Sequence, residues 1–485
     1  MTADATQVQS HPSRTERLAI TLPQVWATLA VVIPVAFTVS TLSTPDLAYL
    51  IRAGDVMLRT HHLLRTDTFT FTALGRPWLN QQWASELAFA AVFRAGRWEG
   101  LAFLQGVLAA AVVAFVYLAC RVHGIRSRGA AWLTLAFFPV FSGALILRPQ
   151  LLGMVLLSVT LWIVARRRNH PRGLWWIPPI TAVWANVHGS FALAPLLLLL
   201  AWIQDRHDGM PTSNRTLTAA AASAAATLVN PFGVQVWKYA FGITTNARIA
   251  STIQEWQPTS VRQITGFFFF ASVFGVVVAL LWRKDRPPWP KLLGLAVFFG
   301  VGLLAVRGAR VWGLTAPVFV ASIFSDIRPK RPELVHRSYV NTALAAAAIV
   351  ALVTAFPWSL RSSRLPVGSH LAFAPAGITQ TLERTVRPGD RVFDSEHFGS
   401  WLEFAFPDAR YFVDSRIEIF PDSVWRDYDT VSEAQQGWQA TLDRWNVRMV
   451  VADRETQPDL IRFARRDPRW RMIYGDRDGA VFVRV

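Results

Sequence analysis

The chain has 485 residues, 52% hydrophobic and 17% charged, with a net charge of +17 and one cysteine, Cys120. Its mean hydropathy of +0.29 and the apolar runs that recur from Leu18 to Trp358 exclude an ordinary soluble enzyme, because a spanning helix needs about 20 apolar residues. A single thiol excludes an internal disulfide scaffold and a cysteine zinc cluster. Residues 359–485 carry 18 Arg and no Lys against 19 acidic residues, so the basic excess is not a nucleic-acid-binding tail and no nucleic acid is expected as a partner.

In chain order, residues 1–17 read as a cytoplasmic tail, with Arg14 and Arg17 ahead of the first apolar run, 18–42. The length of that run and the lack of a small-residue cleavage pattern near Thr41 make it an uncleaved helix rather than a signal peptide. Residues 43–99 form a large first external loop. Ten further runs follow at 100–120, 130–147, 151–164, 174–187, 190–203, 217–229, 264–282, 292–306, 311–324 and 339–358, giving about eleven spans in a transmembrane domain over 18–358.

The segment 83–93 decides the topology. It is apolar but short, is interrupted by Glu86 and ends at Arg94 and Arg97. If it lies in the membrane interface, four basic loops become cytoplasmic: Arg121, Arg126 and Arg128; Arg166, Arg167, Arg168 and Arg172; Arg283, Lys284, Arg286 and Lys291; and Arg328, Lys330, Arg331 and Arg337. That arrangement follows the positive-inside rule, and a spanning 83–93 would invert it throughout. An interfacial amphipathic helix is therefore expected. The amino terminus is then cytoplasmic, and residues 359–485 are extracytoplasmic. Their short β-rich runs at 391–393, 411–413, 448–451, 470–474 and 481–485 alternate with helical stretches at 440–445 and 459–464, which predicts a soluble α/β domain with a hairpin turn at 475–479.

With this topology the costly polar residues gather on the outer face. Asp46 follows the first helix, where it suits either an N-cap or chemistry. Arg52 and Glu86 lie in the first loop, Arg148 in an Arg-Pro-Gln turn, Asn186 and His188 in Trp-Ala-Asn-Val-His-Gly-Ser, Glu255 beside Trp256, and Arg307 and Arg310 at another tight turn. Arg holds phosphate through a planar fork, and a carboxylate can take a proton from a hydroxyl. These residue types point to chemistry on an anionic lipid-linked sugar, with Asp46 as the base.

The acidic residue after the first span, the long first loop with two interfacial helices, the many further spans and the external α/β domain resemble the GT-C superfamily of integral membrane glycosyltransferases. The stretches 46–72, 78–86, 184–191, Asn230-Pro231-Phe232-Gly233, Glu255-Trp256 and 398–416 are similar to a bacterial subgroup of GT-C-like proteins. The resemblance implies a GT-C-like α-helical polytopic fold in the cell membrane. It implies transfer of a hexose or pentose from a polyprenyl-phosphate donor to a lipid, glycan or protein acceptor in the cell envelope, with inversion at the anomeric carbon. Asp46 takes the catalytic position, Glu86 is a second candidate catalytic residue, and Asp414 and Arg416 of the external domain lie over the cavity. Members often carry two adjacent acidic residues there, whereas Pro45 and Leu47 flank Asp46. No metal site is assigned: a divalent metal is possible as cofactor, with Asp46, Glu86, His188 and Glu255 as its candidate ligands, but no spacing fixes it. A transporter or flippase of lipid-linked glycans and a non-catalytic GT-C-like scaffold are the rival readings.

Overall fold

The computed structural model describes residues 19–38, 42–245, 253–325, 333, 337–355, 371 and 373–485. The tail 1–17 and three predicted cytoplasmic residues, Arg328, Lys330 and Arg331, lie outside them. The first two thirds of the chain are helical: α1 (Leu22–Thr38), α2 (Asp46–Thr60), α3 (Trp83–Val122), α4 (Ser127–Phe141), α5 (Pro149–Arg166), α6 (Ile177–Val187), α7 (Leu193–His207), α8 (Ser213–Ala226) and α9 (Gln235–Thr245). Helices Ile264–Leu281, Trp289–Leu304, Val306–Phe324 and Tyr339–Ala355 complete the bundle.

Each of the eleven expected segments contains a helix. Among the described residues, however, α3, α5 and Ile264–Leu281 are the three that are long and apolar enough to cross a membrane. The difference arises because some apolar runs are broken by turns. The run at 174–187 begins in the 3-10 turn Pro171–Trp176, so only the 11 residues of α6 are α-helical. At about 1.5 Å per residue α6 rises about 16 Å, well short of the ~30 Å hydrocarbon core.

The predicted separate helix at 83–93 is instead the first part of α3, which turns at Arg97, where φ is 51° and ψ is −146°. This left-handed φ is uncommon for a side-chain-bearing residue. It lets the two arms of α3 take different directions. The first arm lies against α2, and Gly54 sets their approach: a Cβ there would stand 2.0 Å from the Glu86 carbonyl oxygen and 2.8 Å from Ala90 Cβ. At the other end of the bundle, β1 (Ile20–Thr21) pairs antiparallel with β2 (Arg337–Ser338). The Ile20 amide also donates to Thr342 Oγ1 at 3.0 Å.

The carboxyl-terminal region forms a five-stranded mixed sheet from β3 (Arg391–Asp394), β4 (Arg410–Tyr411), β5 (Met449–Asp453), β6 (Trp470–Gly475) and β7 (Gly479–Arg484), in the order β4-β3-β5-β7-β6. β3 runs parallel to β4 and β5, and β7 runs antiparallel to β5 and β6. Central strands are apolar on both faces, as buried strands must be: Val392, Phe393, Val450, Val451, Val481 and Phe482 are fully buried. Each strand overlaps a predicted run, β4 only at Tyr411, and the turn after Gly475 falls within the predicted 475–479.

The first loop fastens this sheet to the bundle. Thr70 bridges Tyr411, and the Phe71 amide donates to the Tyr411 carbonyl at 3.1 Å. Arg52 Nη1 donates to the Glu403 carbonyl at 2.7 Å, and its Nη2 to the Pro407 carbonyl at 3.1 Å. At the centre of the joint the buried Arg416 pairs with Asp414 and, at 2.7 Å, with Asp67. Its guanidinium lies 4.6 Å from the Trp78 ring centroid and 4.9 Å from that of Phe69. The carboxyl-terminal region thereby rests on α2 and the first loop, with a cavity beside the joint.

Candidate active site

The cavity has a volume of about 760 Å³. Its polar wall is assembled from element ends. Asp46 is the first residue of α2, and its carboxylate pairs with Arg148. Arg148 is extended, at φ −146° and ψ 164°, just ahead of Pro149 at the start of α5. Proline suits that first position because its φ is already helical and the missing amide would have had no partner. His188 closes α6, Glu255 sits in the 3-10 turn Gln254–Trp256, and Arg307 begins the helix Val306–Phe324.

These groups form one chain of charges. Arg148 bonds Asp46 Oδ2 through Nη2 and Glu255 Oε2, at 3.2 Å, through Nη1. Glu255 also receives Arg307 Nε at 3.0 Å and Arg310 Nη1 at 2.8 Å. Burial alone would raise the Glu255 carboxyl; the guanidiniums of Arg148, Arg310 and Arg307 outweigh it and hold the pKa down at about 2. Two carboxylates against three guanidiniums leave one excess positive charge. Arg307 also covers the Trp256 ring, 4.6 Å from its centroid.

His188 is neutral. Burial, reinforced by Arg307 and Arg148, lowers its pKa to about 3, and its Nδ1 accepts from the Ser190 amide at 3.2 Å. Both native pKa values lie below the ordinary ones of 6.5 and 4.5, so the unfolded chain binds more protons on acidification. Thermal stability is therefore expected to fall as pH drops from 6.5, through His188 towards pH 3 and through Glu255 between about 4.5 and 2. Melting curves of the wild type and His188→Asn between pH 8 and 4 check this, with the variant flatter between 6.5 and 4.5.

Of the residues singled out from the sequence, Asp46, Arg148, His188, Glu255, Trp256 and Arg307 line the cavity. Arg310 stands behind it and steadies Glu255. The others lie elsewhere. Glu86, proposed as catalytic, is fully buried against α2, with Oε2 accepting from Asn80 Nδ2 at 2.6 Å. Asn186 is consumed by structure: its Oδ1 accepts from Trp83 Nε1 at 2.9 Å, and its Nδ2 donates to the carbonyls of Ala182 and Val229. Arg52, Asp414 and Arg416 belong to the joint between the first loop and the sheet rather than to the cavity.

Sequence reasoning set the carboxyl-terminal region over the cavity but did not pick out Glu396, His397 or Glu418. Glu396, His397, Ser415 and Glu418 line the cavity with Tyr239 of α9. Glu418 Oε1 accepts from the Tyr239 hydroxyl at 3.1 Å. His397 is oriented by Asp453 Oδ2, 3.1 Å from Nδ1, and a bond to Asp453 raises its pKa. Ser395 caps the helix Glu396–Ala405 by accepting from the His397 amide, which puts Glu396 and His397 in its first turn.

Among the described residues no three His, Cys, Asp or Glu side chains form a group that could hold a metal ion. The Arg148 guanidinium stands between Asp46 and Glu255, the two cavity carboxylates among the candidate ligands, so the donor set does not fit a divalent ion.

No family model and no curated protein matches the chain. Two crystal structures of the oligosaccharyltransferase of Archaeoglobus fulgidus do match, each over 94% of this chain and 74% of that protein. The apo form has 13% identity and a TM-score of 0.51. The form tethered by a disulfide to an acceptor peptide containing the NVT sequon has 12% identity and a TM-score of 0.50. The chain thus shares its overall fold with an archaeal oligosaccharyltransferase.

Proposed function

We propose that this chain is a multi-pass glycosyltransferase of the cell membrane. It moves a sugar from a polyprenyl-phosphate donor to an acceptor on the extracytoplasmic face, with the amino terminus cytoplasmic and the carboxyl-terminal α/β domain outside. The observation that carries this reading is the single cavity in which Asp46 meets the Arg148, Arg307 and Glu255 cluster.

The excess positive charge suits a phosphate, which guanidiniums bind by charge-assisted hydrogen bonds. Trp256 offers a ring beside Arg307 for the sugar, and Met154, Leu193, Val301 and Leu304 supply apolar wall for the first isoprene units. In the reaction the acceptor oxygen bonds to the anomeric carbon on the side opposite the phosphate. The carbon–oxygen bond to phosphate breaks, polyprenyl phosphate leaves with the electron pair, and the acceptor proton passes to Asp46. Acceptors reach this centre past His397, Ser415 and Glu418.

The test uses full-length protein in lipid nanodiscs, given polyprenyl-phosphate hexoses and pentoses with lipid, glycan and peptide acceptors. Release of polyprenyl phosphate that depends on an acceptor is expected for one donor. Saturable donor binding without release under every pairing would replace the transferase by a lipid-glycan-binding scaffold. Absence of donor binding would remove the reading altogether.

A further inference from the structure

The placement of Arg148 carries a consequence for cation chemistry. Divalent ions bind carboxylate oxygens at about 2.0–2.6 Å, closer than a guanidinium hydrogen bond. Such an ion bridging Asp46 and Glu255 would need the space that the Arg148 fork fills from both sides. It would also face three guanidiniums, since Arg307 and Arg310 hold Glu255 as well. Adding two positive charges to a cluster that already has one in excess is unfavourable, the more so in a cavity of low dielectric. The neighbouring imidazole does not offset this, because Nδ1 of the neutral His188 accepts from the Ser190 amide, which leaves the proton on Nε2 and no free lone pair for an ion.

We propose that Arg148 is the built-in cation of this cavity: a positioning residue that holds Asp46 and Glu255 in the arrangement a divalent ion would otherwise impose, so that the site works without metal. The planar fork suits this role because it meets both carboxylates at once, stays charged at every accessible pH and brings no exchangeable water. Its Nη2 fixes Oδ2 of Asp46 and leaves Oδ1 for a proton. The proposal builds on the transferase reading for its purpose, but its test needs no turnover and no donor.

The probe is Mn²⁺, followed by the loss of its free six-line electron paramagnetic resonance signal on addition of full-length protein in nanodiscs. The wild type is expected to bind no Mn²⁺ that Asp46→Asn abolishes. Arg148→Ala, which removes the fork joining the two carboxylates and relieves Glu255 Oε2 of one of its two guanidiniums, is expected to gain one Mn²⁺ per chain, lost again in Arg148→Ala/Glu255→Gln. A wild-type Mn²⁺ removed by Asp46→Asn would overturn the proposal, as would a folded Arg148→Ala that gains none. Should Arg148→Ala fail to fold, the wild-type arm decides alone, since a metal-dependent cavity binds the ion and a metal-free one does not. A failed transferase assay with the expected Mn²⁺ result would remove the function and leave the assignment of Arg148 standing.

Discussion

Asp46→Asn is expected to lower release of polyprenyl phosphate by about 10²–10⁴-fold, the range ascribed to a positioned general base. The change should appear in kcat, with KM for the donor changed little. Asparagine keeps an oxygen to accept from Arg148, so the wall that faces the phosphate is retained, while the oxygen that would take the acceptor proton is lost. Initial rates across donor concentrations, with the folded state checked by melting temperature, separate these terms. A variant within tenfold of wild type would move the base away from Asp46. His397 would then be the next candidate, because Asp453 orients it from the carboxyl-terminal region.

The second large effect lies outside the cavity. Arg416→Met is expected to cost about 3–5 kcal/mol, because removing one member of a buried ion pair strands the charge of its partner. Here two partners are stranded, Asp67 and Asp414, both fully buried. Glu403 brings no relief: burial, followed by the nearby Asp414, already pushes its carboxyl well above the usual range, and a carboxyl in either protonation state carries no positive charge. Asp67 also organises the first loop, accepting from the Phe69 amide at 3.3 Å and the Thr70 amide at 3.1 Å. Thermal unfolding of the full chain, with limited proteolysis of the first loop, should show both the loss and a freed loop. Arg416→Met/Asp67→Asn/Asp414→Asn should recover much of the stability, since no buried charge is left alone. A single variant as stable as wild type would show that the joint is held by its aromatic packing instead.

How far the sequence could be read depended on whether the signal was local. The strands and the hairpin turn of the sheet were legible because each buried strand is a short apolar run bounded by turn residues. Helical segments were legible for the same reason, but their continuity was not: hydropathy does not distinguish one helix from a helix and a 3-10 turn, as at Pro171–Trp176. Nor does it show that the arm starting at Trp83 runs on through Arg97.

Sorting polar residues by membrane side found six that share the cavity, because all are tied to helix ends at one face. It failed for Glu86, Asn186, Arg52, Asp414 and Arg416, which are spent on packing between elements up to 355 residues apart, as in the Arg52–Pro407 contact. His397 was invisible for the complementary reason: nothing local distinguishes an imidazole that a distant Asp453 turns towards a cavity.

The short ladder between β1 and β2 has a bearing on how the chain is assembled. Beside it the Ile20 amide donates across 322 residues to Thr342 of the helix Tyr339–Ala355, along which α1 packs. A chain made from its amino terminus must hold α1 in place through synthesis of every intervening helix before that partner exists. Entropy disfavours closing so long a loop early, although the cost grows only logarithmically with length. Closure of the ring of helices is accordingly a late event, and the cavity behind Asp46 takes its final shape only after most of the polypeptide has left the ribosome.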